Sequence, residues 1–484
     1  MKEIKNLSLL CVPYERSEKG MEFNMDIKVK DIIKICEAKL IYGNEEEICK
    51  EFVKDTKEIK KGDVYIGIKG EKFDGSTFFE TALENGAKVC ILENVEISNT
   101  IKEKYSNKTI IIVEDTIKAI QKLAKYKRSL YNIPVIAVTG SVGKTSTKDI
   151  LASVLSKKYK VLKTKGNLNN HIGLPLTILK LKDHEALVVE MGMSGLGEIS
   201  TLTDIAKPNI AVITNVGTSH IGELGSRQNI LKAKLEILEG LEPNGTLVIN
   251  NDNDMLNNWN EQNNKYKVKT FGIETKSDIT AKDIELKEYS SSFIVNSENE
   301  KIKVEIPVGG THFVYNALCA LTIGKMLDIP TKGILEGIKE FELTKNRMDV
   351  RKIKDNITLI NDCYNANYDS MHAAITYISK INAKRKIAVL GDMLNLGEYS
   401  KNLHEKVGED VVENGIDILI TVGSEAESIV KKAVQNGMNR ESTYNFKTND
   451  EAIEQINKIL KSEDAILVKA SNAMNFNKIV EALV

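Results

Sequence analysis

Residues 131–149, YNIPVIAVTGSVGKTSTKD, constrain the fold of this chain more than any other stretch. The apolar run 134–138 reads as a buried parallel strand. It ends in Thr139-Gly140-Ser141-Val142-Gly143-Lys144-Thr145-Ser146, and a helix is expected to follow. Strand, glycine turn, Lys-Thr and helix together are the layout of a phosphate cradle. The glycines let backbone N–H groups approach phosphate oxygens. Lys144 supplies a cation, Thr145 a hydroxyl for Mg2+, and the helix N-terminus a partial positive charge. The spacing is shorter than G-x4-G-K-[ST], because Val138 stands where the longer pattern has Gly.

With 484 residues, the chain has room for about three domains at about 150 residues each. Apolar content of 42% and charged content of 28% fit a soluble globular protein, and a net charge of -1 argues against general nucleic-acid binding. The Lys-rich stretch 118–128 reads as the solvated face of an amphipathic helix. Cys11, Cys36, Cys49, Cys90, Cys319 and Cys363 lie in apolar contexts without a C-x-x-C pair, so reduced core thiols in a cytoplasmic protein are expected. No apolar run reaches the roughly 18 residues of a membrane span, and 7–12 is too short for a signal peptide.

Along the chain, 1–25 reads as an extension or peripheral strand, and 26–114 as a small α/β domain. Its loop 61–79 carries Lys69, Gly70, Glu71, Lys72, Asp74 and Gly75, and fits either a ligand-wrapping loop or a solvent-facing turn. The helix over 115–130 is expected to lead into a central domain, 115–344. There the loop 165–175 carries Asn167, Asn169, Asn170 and His171. Asn clusters make turns, yet the place after a parallel strand is where ligands bind in α/β sheets. Glu190 closes the apolar strand 186–189, where a carboxylate is costly unless paired or bound to a metal. His220 follows the strand 209–214 on the same edge, which favours metal contact over a structural role. In the helix 227–240, Lys232 and Glu236 are spaced for an i,i+4 pair. Residues 278–308 alternate as antiparallel strands of a small flanking sheet. The helix 311–327 has an apolar pattern broken by Asn316. The last domain, 345–484, alternates strands and helices as a doubly wound Rossmann-like unit without G-x-G-x-x-G. The fold class expected is therefore α/β in three domains: a small N-terminal α/β domain, a central P-loop-type parallel sheet with flanking antiparallel strands, and a C-terminal Rossmann-like domain.

Ten segments in order carry a resemblance. They are GDVYIGIKGEKFDG (62–75), TGSVGKTSTK (139–148), GNLNNHIGLPLT (166–177), VVEMGM (188–193), ITNVGTSHIGELGS (213–226), KAKLEI (232–237), HFVYNALCAL (312–321), NRMDV (346–350), NDCYNANYDSM (361–371) and VLGDMLNLGEYSKNLH (389–404). Together they resemble the Mur ligases, ATP-dependent amide-forming enzymes of peptidoglycan precursor synthesis. Within that family the segments 361–371 and 389–404 resemble the MurF type, which adds D-alanyl-D-alanine to UDP-N-acetylmuramoyl-tripeptide. The nearest rival is a Mur-type ligase adding a different amino acid or using a different carboxylate. Two departures stand out. Tyr368 replaces a usual Pro, which is expected to loosen a turn. Lys469-Ala470-Ser471-Asn472 replaces Lys-Gly-Ser-Arg, which removes a cation.

The resemblance implies an acyl-phosphate mechanism with ATP and two Mg2+ ions. By the resemblance, Thr139 to Ser146, with Lys144 foremost, hold the phosphates. Thr145 and Glu190 hold one Mg2+ and His220 contacts the second. Lys234 carries a CO2-derived carbamate that serves as an oxygen ligand. Asn316 meets adenine, Arg347 the phosphates and Asp362 the ribose. Lys69 and Asp74 help hold the UDP-sugar, Asn167, Asn169 and Asn170 line the sugar-peptide channel, and Asn365 and Asn367 lie near the dipeptide end. The resemblance further implies closure by the C-terminal domain, a monomer, and a role in cell shape and division.

Overall fold

The computed structural model describes residues 26–70, 73–297 and 300–484. The extension expected over 1–25, with Cys11, and the loop residues Glu71 and Lys72 lie outside the described residues. Two compact units are formed. One takes the described chain up to Pro134 together with Pro175–Asp183, and the other takes Val135–Leu174 and His184–Val484.

The first unit is built on a five-stranded sheet in the order Lys39–Tyr42, Thr109–Ile112, Val89–Leu92, Val64–Ile66, Phe52–Val53. Its pairs are parallel except the first, which is antiparallel. Val89–Leu92 is buried throughout, as the apolar run demands of a strand covered on both faces. The helix Thr116–Ser129 belongs to this unit. Asp115 caps it by accepting from Lys118 N–H at 2.9 Å. Its lysines at 118, 122 and 125 are solvated as expected, but Lys127 and Arg128 are buried. Arg128 Nη1 donates to the Tyr131 carbonyl at 2.6 Å, and Lys127 Nζ lies 5.6 Å from the Tyr131 ring centroid. The long alkyl stems let these two cations pack inward and keep polar partners.

The second unit holds two sheets. The larger has nine strands in the order Glu300–Ile306, Ser291–Ser297, Ile279–Leu286, Lys267–Gly272, Thr246–Asn250, Ile210–Ile213, Val135–Thr139, Ala186–Glu190, Val161–Lys163. From Ile279–Leu286 to Val161–Lys163 every pair is parallel, and the last two strands are added antiparallel. The antiparallel strands are thus not a separate flanking sheet. Phe271 and Gly272 pair with Ile279 and Thr280 and make them the edge of the central one. Val135–Thr139, Ala186–Glu190 and Ile210–Ile213 are wholly buried, whereas Ile302, Val304 and Ile306 alternate with exposed Lys301, Lys303 and Glu305. The polar stretch after Thr246–Asn250, which reads as sheet continuation with a surface excursion, forms the helix Asp254–Glu261 and the strand Lys267–Gly272.

The smaller sheet has six strands in the order Asp349–Lys352, Thr358–Asn361, Ala465–Lys469, Lys386–Gly391, Ile418–Val422, Thr443–Phe446. All pairs are parallel except Asp349–Lys352, an antiparallel edge that the sequence pattern did not disclose. The linker between the two sheets is tied to the P-loop helix Lys144–Leu155. Thr344 Oγ1 donates at 2.7 Å to Oδ2 of buried Asp149, whose charge is met by Lys163 at 2.7 Å and Lys148 at 3.3 Å. Among the described residues no helix is long and apolar enough to cross a membrane. The described cysteines are all free, and burial pushes the thiols of Cys49 and Cys90 up to about 12.

Candidate active site

Thr139 ends the P-loop strand, its hydroxyl donating to the Met191 carbonyl at 2.9 Å. The turn that follows needs glycine twice. Gly140 has φ +150 and a Cβ there would collide with the Thr214 hydroxyl, while Gly143 has φ +81 and caps the helix Lys144–Leu155. Lys144 Nζ donates to the Gly140 carbonyl at 2.7 Å. Burial lowers its pKa. Glu190 opposes that shift and Arg347 adds to it.

Two neighbouring strand ends complete the cradle, because Val135–Thr139 pairs with Ile210–Ile213 on one side and Ala186–Glu190 on the other. From the first, Asn215 Oδ1 accepts from the Ser141 and Val142 N–H groups at 3.1 and 3.0 Å. The Thr214 hydroxyl and Asn215 Nδ2 donate to the Val142 carbonyl. Ser141 and Val142 therefore spend their amides on the protein. From the second, Glu190 is 2% exposed. Its Oε1 accepts from Asn169 Nδ2 at 2.8 Å, and its Oε2 is buried with no hydrogen-bond partner.

His220 adopts φ +62 ahead of the short helix Ile221–Leu224, and its Nδ1 is also buried without a hydrogen-bond partner. Burial first, then the ammonium groups of Lys144 and Lys234, push its pKa down to about 4, so the ring is a neutral donor or ligand. Lys234 is 2% exposed near the end of the helix Arg227–Leu235. It has no hydrogen-bond or ion-pair partner among the described residues, and burial and Lys144 hold its pKa well below the usual lysine range. Lys232 and Glu236 do not pair. Glu236 is buried and accepts from the Gly197 and Ser200 N–H groups at 2.7 and 3.2 Å, closing the start of the helix Glu198–Ala206.

The helix Thr311–Met326 brings Asn316 to the turn. Asn316 Oδ1 accepts from Thr147 Oγ1 at 3.0 Å, and its Nδ2 is buried and unpartnered. Loops of the six-stranded sheet arrive from the opposite side. Arg347 Nη2 lies 3.4 Å from Thr145 Oγ1, and Asp369 Oδ2 accepts from the Thr218 N–H at 2.9 Å and its hydroxyl at 3.0 Å. Asp362 is shared between Lys469 Nζ at 2.5 Å and the Met348 N–H at 3.1 Å. Thr145, Asn316, Arg347, Asp362, Asn365 and Asn367 all line one pocket.

Several residues singled out in the sequence have local work. Asn367 caps the helix Tyr368–Ser379 through Ser370 N–H at 2.8 Å, with the Ser370 hydroxyl closing the box, and its Nδ2 bonds the Ser219 hydroxyl. The turn at Tyr368 is therefore not loosened by the missing Pro, since the cap fixes it. Asn170 Oδ1 accepts from the Ile172 and Gly173 N–H groups, an ordinary turn, and Asn167 is exposed. Asn472, where the resemblance implies a cation, is exposed and donates to the Tyr364 carbonyl at 3.1 Å. In the first unit, Lys69 and Asp74 bridge the two sides of one loop, and Asp74 Oδ1 caps the following turn through Ser76 N–H at 2.9 Å. Phe73 stands 66% exposed at that loop.

Among the described residues no three His, Cys, Asp or Glu side chains cluster where they could hold a metal ion alone. The unpartnered Glu190 oxygen beside the Thr145 hydroxyl-bearing turn suits one divalent cation nevertheless, because hard cations take carboxylate and hydroxyl oxygen and complete their shell from phosphate and water. Thr214, Asn215 and Tyr364 are site residues that sequence reasoning passed over. The one available signal was their position at strand ends next to residues already chosen.

Loops of two sheets meet over one glycine turn, and the families this chain matches make it an ATP-dependent ligase. The chain belongs to the Mur ligase family. The Mur ligase family catalytic domain matches residues 54–128, the Mur ligase middle domain 138–324, and the Mur ligase glutamate ligase domain 346–472. A curated relative from Bacillus subtilis (strain 168), UDP-N-acetylmuramoyl-tripeptide--D-alanyl-D-alanine ligase, is 35% identical over 89% of this chain and 92% of its own. The crystal structure of MurF from Acinetobacter baumannii matches with a TM-score of 0.84 at 28% identity, covering 95% of this chain and 98% of that one. MurF from Thermotoga maritima in complex with ADP matches with a TM-score of 0.77 at 30% identity, covering 90% and 97%.

Proposed function

We propose that this chain uses ATP to join D-alanyl-D-alanine to UDP-N-acetylmuramoyl-tripeptide in peptidoglycan precursor synthesis, in the cytoplasm where such precursors and ATP are available. The observation that carries the reading is the set of buried atoms left without hydrogen-bond partners at the cradle, Glu190 Oε2, His220 Nδ1 and Asn316 Nδ2, beside the buried Lys234 side chain. A finished structural core would satisfy them. A phosphate-rich ligand with its cations would do so too.

A carboxylate does not acylate an amine at neutral pH, because its oxygen is a poor leaving group. Transfer of the γ-phosphoryl group to the tripeptide carboxylate gives an acyl phosphate and ADP. The dipeptide amine then attacks the acyl carbon and loses a proton, and the tetrahedral intermediate expels phosphate. The protein's share is positioning and charge neutralisation. When bound, Mg2+ supplies neutralisation of the phosphate charge.

Lys144 and the N–H groups at the helix start face the β- and γ-phosphates. Thr145 and Glu190 would hold one Mg2+ and His220 a second. The neutral Lys234 amine adds to CO2 with formation of an N–C bond and loss of one proton, so that a buried amine beside Lys144 becomes an anionic oxygen donor. Asn316 Nδ2 donates to adenine, Arg347 reaches the phosphates from the far side, and Asp362 takes the ribose while bound to Lys469. Lys69 and Asp74 hold the UDP-sugar, Asn167, Asn169 and Asn170 the sugar-peptide, and Asn365 and Asn367 border the dipeptide.

The test is product mass and phosphate release from ATP, D-Ala-D-Ala and each candidate UDP-N-acetylmuramoyl-tripeptide. One condensation product with release that requires both acceptor substrates is expected. ATP hydrolysis indifferent to acceptor, or equal product from single amino acids, overturns the reading.

A further inference from the structure

Arg347 is a long, flexible side chain asked to hold one attitude at a phosphate cradle. Its contact with Thr145 Oγ1 is long, at 3.4 Å, and its Nε is buried without a partner. It makes no ion pair among the described residues. What holds the guanidinium is an aromatic face: Arg347 Cζ lies 4.0 Å from the Tyr364 ring centroid. Among the described residues this is the one cation–π pair whose cation is Arg, the others being lysines. A planar guanidinium stacks on a ring in a way a lysine cannot, and stacking fixes its plane without consuming its N–H donors.

Tyr364 is itself held at both ends. Its N–H donates to the Asn346 carbonyl at 3.2 Å, and its carbonyl accepts from Asn472 Nδ2 at 3.1 Å. The first contact ties it to the residue preceding Arg347. The second uses the side chain that departs from the family pattern. Burial raises the Tyr364 pKa, while the Arg347 guanidinium, over the ring and also bonded to the hydroxyl, opposes that shift, so the Phe variant separates the face from the hydroxyl.

We propose that Tyr364 is a positioning residue whose ring is the shelf that sets the plane of the Arg347 guanidinium toward the transferred phosphoryl group. The proposal rests on the reading of Arg347 as a phosphate-facing cation. The shelf needs an aromatic face and not a hydroxyl, which separates it from a hydrogen-bonding or proton-transfer role.

Steady-state ligation by Tyr364→Phe, Tyr364→Leu, Arg347→Ala and the double variant Arg347→Ala/Tyr364→Leu tests it, with thermal midpoints alongside. Tyr364→Leu is expected to lower kcat about tenfold, with the KM for D-Ala-D-Ala and the thermal midpoint unchanged, and Tyr364→Phe to restore most of the rate. The double variant is expected to be no slower than Arg347→Ala, because the shelf acts only through that arginine. Full activity of Tyr364→Leu, a Phe variant as slow as Leu, or additive losses in the double variant would overturn the shelf. Wild-type turnover by Arg347→Ala removes the phosphate reading and the proposal with it. A slow Arg347→Ala with additive Tyr364→Leu removes the proposal alone.

Discussion

The Asn169 carboxamide donates to Glu190 Oε1 at 2.8 Å and leaves Oε2 of the same carboxylate buried without a partner. One oxygen is thus used to aim the other. Partners behind a metal ligand typically govern affinity by about 10–100-fold. Asn169→Ala is expected to raise the Mg2+ concentration for half-maximal ligation by at least about tenfold, while the thermal midpoint changes little. A Mg2+ titration superimposable on that of the unaltered protein would remove Asn169 from this role.

Lys234 is an amine buried beside another cation, and its pKa is held well below the usual lysine range. Between that lowered value and the ordinary 10.5, the unfolded chain binds a proton that the folded chain does not. Stability therefore rises with pH across that window. Lys234→Met is expected to abolish ligation yet unfold at a higher temperature than the wild type in CO2-free buffer at neutral pH, with the gap narrowing as pH rises. Calorimetry at two pH values checks the sign, and a variant less stable at neutral pH contradicts it.

His312 stacks against Phe313, with ring centroids 4.3 Å apart. Burial pushes its pKa from 6.5 down to about 4, with Asp362 opposing and Lys469 adding to the shift. As pH falls through that window the unfolded chain takes up a proton before the folded one does, so stability is lost there and levels off below it. His312→Gln should flatten part of this acid loss. His220 and His404, whose pKa values are lowered, contribute in the same sense, and His372, raised by its hydrogen bond to Asp410, in the opposite one. Urea midpoints measured at neutral pH and near the foot of the window give the comparison. An unchanged slope would show that His312 is protonated in the fold.

Tyr368 opens a helix at the position where Pro is favoured, and Asn367 before it is extended at φ -148 and ψ 170, as a residue before Pro prefers. The cap between Asn367 and Ser370 does not involve the residue at 368. Tyr368→Pro should therefore change stability by no more than about 1 kcal/mol, the gain in chain stiffness offsetting the lost contact with Lys406, and should leave turnover intact. A larger loss in denaturant unfolding would assign Tyr368 a role that the Pro of related chains lacks.

The site was legible where chemistry and local pattern coincide. Glu190 ends an apolar strand, Lys144 follows a glycine turn, and Asn316 interrupts an apolar helix face, and each anomaly is visible within a few residues. Asn215 was passed over because an amide after a strand is unremarkable until that strand is known to lie beside Val135–Thr139. Glu236 was read as a surface partner of Lys232 because helical spacing allows it. Its actual partners are amides 39 and 36 residues earlier, which no spacing rule reaches. The strand Asp349–Lys352 was missed because an edge strand of mixed polarity carries no period.

Taken alone, the amino-acid order determined the buried apolar strands, the glycine turn and the helix that follows, since these depend on burial period and backbone freedom within a few residues. It also carried enough motifs in sequence to indicate a family. Only the tertiary structure decided which strand ends are neighbours, and hence that Asn215 spends two loop amides, that Asn169 aims Glu190, and that Tyr364 lies under Arg347. Parallel strands are joined by long crossovers, so their order in the sheet is set by the packing of whole layers, which no short stretch of chain encodes.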